Sequence, residues 1–192
     1  MRDEVTRKAL HLLSATLPVA WGLDIIGTST VRTALIGALG LALIIELARA
    51  SSPRMRELFD RALGPMLRPH EARTLTGATW LAAAMLLSVV LFPTRAAVTA
   101  LWAAAVGDAA ATLLGRAAAK GGSGTGTKTF VGSLACVVAT AVGAWWLAGA
   151  SATVATVIGV AAAVAERPRL VIDDNARVAL AAGAAAWGLL AA

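Results

Sequence analysis

Apolar and polar residues alternate along the chain in long blocks. Because a helix needs about 20 apolar residues to cross a bilayer, we predict seven spans, at roughly 9–27, 30–48, 75–92, 96–114, 129–149, 152–165 and 177–192. Between the second and third spans, apolar residues over 54–67 recur at helical spacing. This spacing predicts an amphipathic helix in the membrane interface, broken at Gly64-Pro65. The pattern therefore predicts an all-α, polytopic transmembrane bundle.

The composition supports this class of protein. The 192 residues are 58% hydrophobic and only 15% charged, whereas soluble domains carry about 25% charged residues. A soluble core of this size could not bury so much apolar surface, so we expect a single integral membrane domain over 1–192. The lone Cys136 excludes a disulfide framework and a multi-cysteine metal site.

Basic residues are distributed unequally between the two predicted faces. Of the 17 Lys and Arg residues, all but Arg32 and Arg95 fall in the N-terminal tail or in the second, fourth and sixth loops. The positive-inside rule then predicts a cytoplasmic N-terminus and an external C-terminus. Membrane orientation explains the net charge of +6 better than nucleic-acid binding does, since no aromatic stacking surface accompanies the charge. The Ala- and Arg-rich usage favours a prokaryotic plasma membrane.

Asp108 lies inside the fourth predicted span, where an isolated carboxylate would cost several kcal/mol. A protonated or helix-bonded acid would account for it, and so would metal or phosphate chemistry, which we favour. Before the last span, Asp173, Asp174 and Asn175 supply the hard oxygen ligands that suit Mg²⁺. Equally, Asp174 or Asn175 could cap the last helix.

A stretch rich in glycine and hydroxyl residues, 120–129, joins the fourth and fifth spans. Glycines let backbone N–H groups converge on an oxyanion, hydroxyls add donors, and the following helix start adds its positive dipole end. The spacing is not that of a Walker A loop, because Thr127 separates Gly126 from Lys128. The stretch is either a phosphate-binding loop or a flexible linker.

Further charged residues fall on the same predicted cytoplasmic face. Glu4, Arg7, Lys8 and His11 share one side of a helix at the membrane edge. An ordinary basic flank would account for Arg7 and Lys8 but not for His11. Acids at the other span ends complete the set: Glu46, Glu71 and Glu166. Phosphoryl transfer needs a metal, cations and an acid or histidine near the attacking hydroxyl, so these clusters together favour phosphoryl chemistry on a lipid.

Four motifs give the chain a recognisable likeness. They are Arg7-Lys8-x-x-His11, Gly107-Asp108-x-x-Ala111-x-x-x-Gly115, Lys128-Thr129-x-x-Gly132-Ser133-x-Ala135 and Asp173-Asp174-Asn175. With these motifs the chain resembles the CTP-dependent lipid-alcohol kinases, which include dolichol kinase, phytol kinase and the yeast-type diacylglycerol kinase. The short chain is closest to the small phytol-kinase-like prokaryotic members. Val131 stands where dolichol-kinase-type members often have Glu.

The resemblance implies transfer of the γ-phosphoryl group of CTP to the hydroxyl of a membrane lipid alcohol, of the polyprenol or phytol type or a diacylglycerol. It implies Mg²⁺ as cofactor. The acidic and polar residues collect on the same predicted face as the basic ones, so we expect the active site at the cytoplasmic face. CTP rather than ATP follows from the resemblance alone. The small-residue helix faces would also permit a homodimer.

The roles that we assign on this basis fall into three groups. The metal ligands would be Asp108, Asp173, Asp174 and Asn175. The nucleotide-binding residues would be Arg7, Lys8, Gly115, Arg116, Lys120, Gly124, Gly126, Lys128, Thr129 and Gly132. The residues that position or deprotonate the hydroxyl would come from His11, Glu71, Glu46 and Glu166, with Asp108 catalytic through its metal.

Two alternatives stay open. A cytidylyltransferase acting on a lipid phosphate would release pyrophosphate from CTP, although the acidic motif near the C-terminal end of that family is not found. A small ion-coupled transporter would use Asp108 as an intramembrane ion or proton site, although no internal repeat is found.

Overall fold

A computed structural model describes residues 2–64, 67, 71, 74–119, 128–167 and 172–191. Every regular element in these ranges is a helix, as the sequence predicts. The helices are α1 (Arg2–Leu13), α2 (Thr16–Gly22), α3 (Thr28–Ser51), α4 (Pro53–Leu63), α5 (Gly77–Leu91), α6 (Thr94–Trp102), α7 (Asp108–Ala118), α8 (Phe130–Ala148), α9 (Ala152–Glu166) and α10 (Asp174–Leu190).

Three helical segments are long and apolar enough to cross a membrane: Thr28–Ser51, Thr94–Ala118 and Phe130–Ala148. Two shorter apolar helices are α5 and α9. The fold is therefore compatible with a membrane protein, while the count of seven spans and the orientation stay predictions.

The first predicted span, 9–27, is not one helix. α1 ends at Leu13 and α2 begins at Thr16, and hydroxyl side chains mark the break. Ser14 Oγ donates to His11 O at 2.6 Å, and Thr16 Oγ1 donates to Leu13 O at 2.8 Å. These bonds compete with the backbone ladder of a continuous helix, so the segment folds as two short helices.

The fourth span is a continuous run that contains one widened turn. α6 passes through a π-helical turn at Ala103–Gly107 directly into α7. Such turns are rare and occur frequently at functional sites. Asp108 is the first residue after this turn and is completely buried.

The helices from α6 through α10 pack closely because small residues lie at their contacts. A Cβ on Gly159 would lie 2.4 Å from Val137 O, and a Cβ on Gly143 would lie 2.1 Å from the Trp102 ring. Glycine therefore lets α9 contact the backbone of α8 and makes room on α8 for the Trp102 ring of α6, and close approach at small residues is typical of membrane bundles. In contrast, α3 lies at the edge of the bundle and buries only Val31, Leu35 and Arg49.

Contacts between helix termini define two ends of the molecule. At one end, Glu46 of α3 bonds to Thr76 before α5, and Lys128 before α8 pairs with Glu166 at the end of α9. We call this the charged end. At the opposite end, Arg95 donates to Ala148 O at 2.6 Å and to Gly149 O at 3.1 Å, where α8 ends in a left-handed glycine.

The predicted interfacial helix corresponds to α4, which ends at Leu63 with Gly64 as its C-cap. Ser52 caps its start by accepting a hydrogen bond from Met55 N, and Pro53 occupies the first helical position. No residue of α4 is buried. It follows α3 after the single residue Ser52, so α4 belongs to the charged end.

Candidate functional site

The first cluster of the site surrounds Asp108. Lys8 Nζ donates to Asp108 Oδ2, and both side chains are almost completely buried. His11 Nδ1 lies 4.0 Å from the same carboxylate oxygen. Lys8 and His11 are three residues apart on α1 and so share one face of that helix. The structure thus brings together Lys8, His11 and Asp108, which we call the Asp108 cluster.

The neighbouring residue of α1 contacts a second acid. Arg7 Nη1 lies 3.9 Å from Glu71 Oε1, and Gly77 N donates to that oxygen at 3.0 Å. A carboxylate at a helix start is favoured by the helix dipole, so Glu71 stabilises the beginning of α5. A Cβ on Gly77 would lie 3.1 Å from Glu71 Oε1 and 3.9 Å from Asn175 Nδ2, so the starts of α5 and α10 lie close together beside Glu71.

The second cluster surrounds Lys128 and lies at the ends of three helices. Lys128 Nζ donates to Glu166 Oε1 and lies 3.5 Å from Asp174 Oδ2. Burial by itself lowers the pKa of Lys128, yet the hydrogen bond to Glu166 and the charge of Asp174 outweigh burial and raise that pKa above its ordinary value. The charge of Asp108 adds a smaller contribution in the same direction. We call Lys128, Glu166 and Asp174 the Lys128 cluster.

Asp173 has a structural role at the start of α10. Its Oδ1 accepts from Asn175 N at 3.0 Å and from Asn175 Nδ2 at 2.7 Å. The N-cap is therefore Asp173, and the expectation that Asp174 or Asn175 caps this helix is wrong. Asp174 is instead in the first turn and beside Lys128. A metal role for Asp173 stays a prediction, with one of its oxygens already used by the cap.

Thr129 and two glycines bring α7 and α8 together next to Lys128. Thr129 Oγ1 caps α8 by accepting from Gly132 N at 3.0 Å. A Cβ on Gly115 would lie 2.9 Å from Thr129 Oγ1, and one on Gly132 would lie 2.7 Å from Ala111 O. These positions leave no space for a side chain. The motif residues Gly115, Thr129 and Gly132 thus form the helix crossing that supports Lys128.

Glu46 belongs to a separate group around Arg49. Glu46 Oε1 accepts from Thr76 N at 2.7 Å and from Thr79 Oγ1 at 3.1 Å, while Oε2 accepts from Arg49 Nη2 at 2.7 Å. Arg49 also donates to Thr74 O at 2.7 Å and lies over the Phe59 ring. This arrangement joins α3, α4 and the start of α5. A catalytic role for Glu46 stays a prediction.

Oxygen atoms suited to a metal are present, but they do not form a closed cage. Asp108 Oδ1 and Asn175 Oδ1 are buried and have no hydrogen-bond partner among the described residues. Within the described ranges, no group of three or more His, Cys, Asp or Glu residues is placed to hold a metal ion. Mg²⁺ often takes only one or two carboxylates and completes its shell with water and substrate phosphates. These residues fit that open kind of site.

The remaining predicted residues are dispersed or fall outside the described ranges. Arg116 is exposed on the last turn of α7, whereas Lys120, Gly124 and Gly126 lie outside the described residues.

Sequence reasoning did not single out Arg49 or Gly77. The signal for Arg49 was its i,i+3 spacing from Glu46 at the end of a span. Gly77 carried no signal, because its close contact is with Glu71 in an irregular segment.

No protein-family model, curated protein or solved structure matches the chain.

Proposed function

We propose that the protein is a membrane-embedded kinase that transfers the γ-phosphoryl group of CTP to the hydroxyl of a lipid alcohol. The observation that carries the proposal is the close crossing of α7 and α8, because Asp108 begins α7 and Lys128 stands two residues before α8, so the Asp108 and Lys128 clusters lie on one pair of packed helices. Phosphoryl transfer depends on cations that neutralise phosphate oxygens and on acids that hold a metal. CTP and the lipid alcohol come from the sequence resemblance.

The nucleotide would bind beside the start of α8. Lys128 is partly exposed, with 30% of its side chain accessible, so its ammonium can exchange carboxylate partners for phosphate oxygens. Arg116 and Arg7 would add outer cations, and the sequence assigns further phosphate contacts to Lys120, Gly124 and Gly126. The helix crossing at Gly115 and Gly132 would keep Lys128 at a fixed distance from α7.

Mg²⁺ would be held by Asp108, Asp174 and Asn175. The supporting observation is the pair of buried, unpartnered oxygens on Asp108 and Asn175. When bound, the metal would neutralise charge on the phosphates. Asp173 is the weaker candidate because its Oδ1 accepts two bonds from Asn175.

The lipid hydroxyl would approach from the α1 side of the Asp108 cluster. Glu71 and Glu46 each accept a backbone N–H at the start of α5, which favours a structural use of both carboxylates. The proposal therefore gives the proton-accepting role to His11, since the Asp108 carboxylate 4.0 Å away would stabilise an imidazolium. The lipid oxygen forms the new P–O bond, the bond from the γ-phosphorus to the bridging oxygen breaks, and CDP leaves.

Substitution of Asp108 tests its assignment to the metal site. In purified protein supplied with CTP, Mg²⁺ and a panel of long-chain alcohols, Asp108→Asn should lower turnover by roughly 100-fold or more. The matched control is Asp24→Asn, because Asp24 is exposed with φ +56°, a conformation that Asn tolerates. Lys128→Gln tests the same site through a partly exposed residue and should raise the KM for CTP. Near-normal kinetics in both site variants would refute the proposal.

One observation favours a second candidate. Asp108 is completely buried inside a candidate span and is paired with Lys8 of α1, and a buried intramembrane ion pair is also the arrangement expected of an ion-coupled transporter. CTP binding to the purified protein would separate the kinase from the transporter. Release of CDP rather than pyrophosphate would separate the kinase from a cytidylyltransferase.

A further inference from the structure

α4 is amphipathic, and its charges have a specific arrangement around the helix. At about 100° per residue, Met55, Leu58 and Leu63 fall on one side, and they are 45%, 50% and 40% exposed. Arg54 and Arg61 lie on one flank of that side, and Arg56 lies on the other. The acids Glu57 and Asp60 lie opposite the apolar residues. In a membrane interface, apolar residues lie nearest the acyl chains, arginines lie at the headgroups and acids lie in the water. The surface of α4 follows this order.

The connectivity of the chain indicates the partner. One residue, Ser52, separates α4 from α3, a helix long and apolar enough to cross a membrane. The first residue of α4 therefore lies at the level where that span would leave the bilayer. A lipid surface is within reach of the exposed apolar residues without any change in the fold.

The charge near the start of α4 indicates the type of lipid. Its first turn contains Arg54 and no acidic residue, although cations are disfavoured at the positive end of a helix dipole. Arg61 pairs with Glu57, and both side chains are highly exposed, 72% and 64%, so that pair is weak. An anionic lipid phosphate beside Arg54 and Arg61 would offset the repulsion between Arg54 and the positive end of the helix dipole.

Arg49 fixes the position of α4. It is 7% exposed, its guanidinium carbon lies 4.9 Å from the centre of the Phe59 ring, and its carbonyl accepts from Arg56 Nε at 3.4 Å. Phe59 and Arg56 lie about 60° apart around α4, with Leu63 between them, so this part of the helix surface is turned toward α3. The flank with Arg54 and Arg61 is left for an external partner.

We propose that α4 is a docking surface for anionic phospholipid headgroups. Met55 and Leu58 enter the boundary of the acyl chains, and Arg54 and Arg61 bind the lipid phosphates. This proposal is independent of the phosphotransferase activity.

Site-directed spin labels in the full-length protein test it. Leu58→Cys and Asp60→Cys are labelled separately in nanodiscs of phosphatidylcholine, with or without phosphatidylglycerol; the native Cys136 is completely buried and serves as the labelling blank. The Leu58 label should be accessible to oxygen and the Asp60 label to an aqueous nickel complex. Adding phosphatidylglycerol should increase this contrast, and high salt should reduce the effect.

Charge variants identify the residues responsible. The double variant Arg54→Gln, Arg61→Gln should lose most of its response to phosphatidylglycerol. Each arginine removed should lower the ratio of docked to undocked α4 roughly fivefold. The control Arg32→Gln, an exposed arginine at the opposite end of α3, should leave the response unchanged. The proposal is overturned if both labels are equally aqueous, if phosphatidylglycerol has no effect, or if Arg32→Gln matches the double variant.

Discussion

At the scale of single residues, the pairing of Lys8 with Asp108 governs the site. The two residues are separated by 100 positions in the chain, and each alone would be a buried charge without compensation. The sequence predicted a functional role for Asp108 because an isolated carboxylate does not fit a bilayer, and for Lys8 through the motif that it shares with Arg7 and His11. It could not predict that they pair, since hydrophobic periodicity carries no information on contacts between distant segments.

The energetics of this pair can be measured by a double-mutant cycle. Lys8→Met leaves the carboxylate buried without its cation, and breaking a buried pair costs about 3–5 kcal/mol. Lys8→Met combined with Asp108→Asn removes the charge as well as the cation, so the double variant should be more stable than Lys8→Met alone. Reversible unfolding in mixed detergent, followed by circular dichroism, gives the free energy of unfolding of the wild type, of each single variant and of the double variant. Additive losses would show that the pair does not contribute as a unit.

A second residue-scale prediction concerns Lys128. Because its pKa is raised in the folded protein, its ion pairs contribute stability below the ordinary lysine pKa, and that contribution is lost as pH rises through the raised value. Glu166→Gln removes the main partner, so burial should then lower the pKa of Lys128. The rate of reductive methylation at each lysine, followed by mass spectrometry against pH, measures this shift. An unchanged Lys128 profile in Glu166→Gln would contradict the assigned cause.

At the scale of helices, the long apolar runs were predicted well and the interruptions were not. The spans expected at 30–48 and 129–149 agree closely with α3 and α8, because continuous hydropathy is the signal that a bilayer requires. The break between α1 and α2 contains no Gly or Pro and depends on the hydroxyls of Ser14 and Thr16. The π-helical turn before Asp108 has no sequence signature in a run of alanines.

The crossing of α7 and α8 provides a prediction at this scale. In Gly132→Ala the new Cβ would lie 2.7 Å from Ala111 O, a backbone atom that cannot move alone, so we expect a loss of about 1–3 kcal/mol. Gly40→Ala is the matched control, because nothing lies within 4 Å of the added Cβ and alanine favours a helix. Thermal unfolding in detergent compares the two. Equal midpoints would show that α7 and α8 are not in close contact at Gly132.

At the scale of the whole molecule, the structure brings several of the charged residues that the sequence singled out to one end, the charged end. Charges from α1, α9 and α10 and from the residue before α8 meet there, as the unequal distribution of basic residues suggested. The sequence could not reveal that Asp173, rather than Asp174 or Asn175, is the cap of α10, or that Glu46 accepts from Thr76 N before α5. Those roles depend on which backbone N–H groups are left without partners after folding.

Sided phosphoryl transfer tests the central claim most directly. The protein is reconstituted into sealed liposomes that contain a long-chain alcohol, its orientation is determined by protease access to the N-terminal tail, and γ-labelled CTP with Mg²⁺ is supplied from one side at a time. The account predicts label in the lipid fraction only when CTP is on the side of the N-terminal tail, and none with Asp108→Asn. If the lipid stays unlabelled with CTP on either side, or is labelled equally with CTP on each side, the result would contradict it.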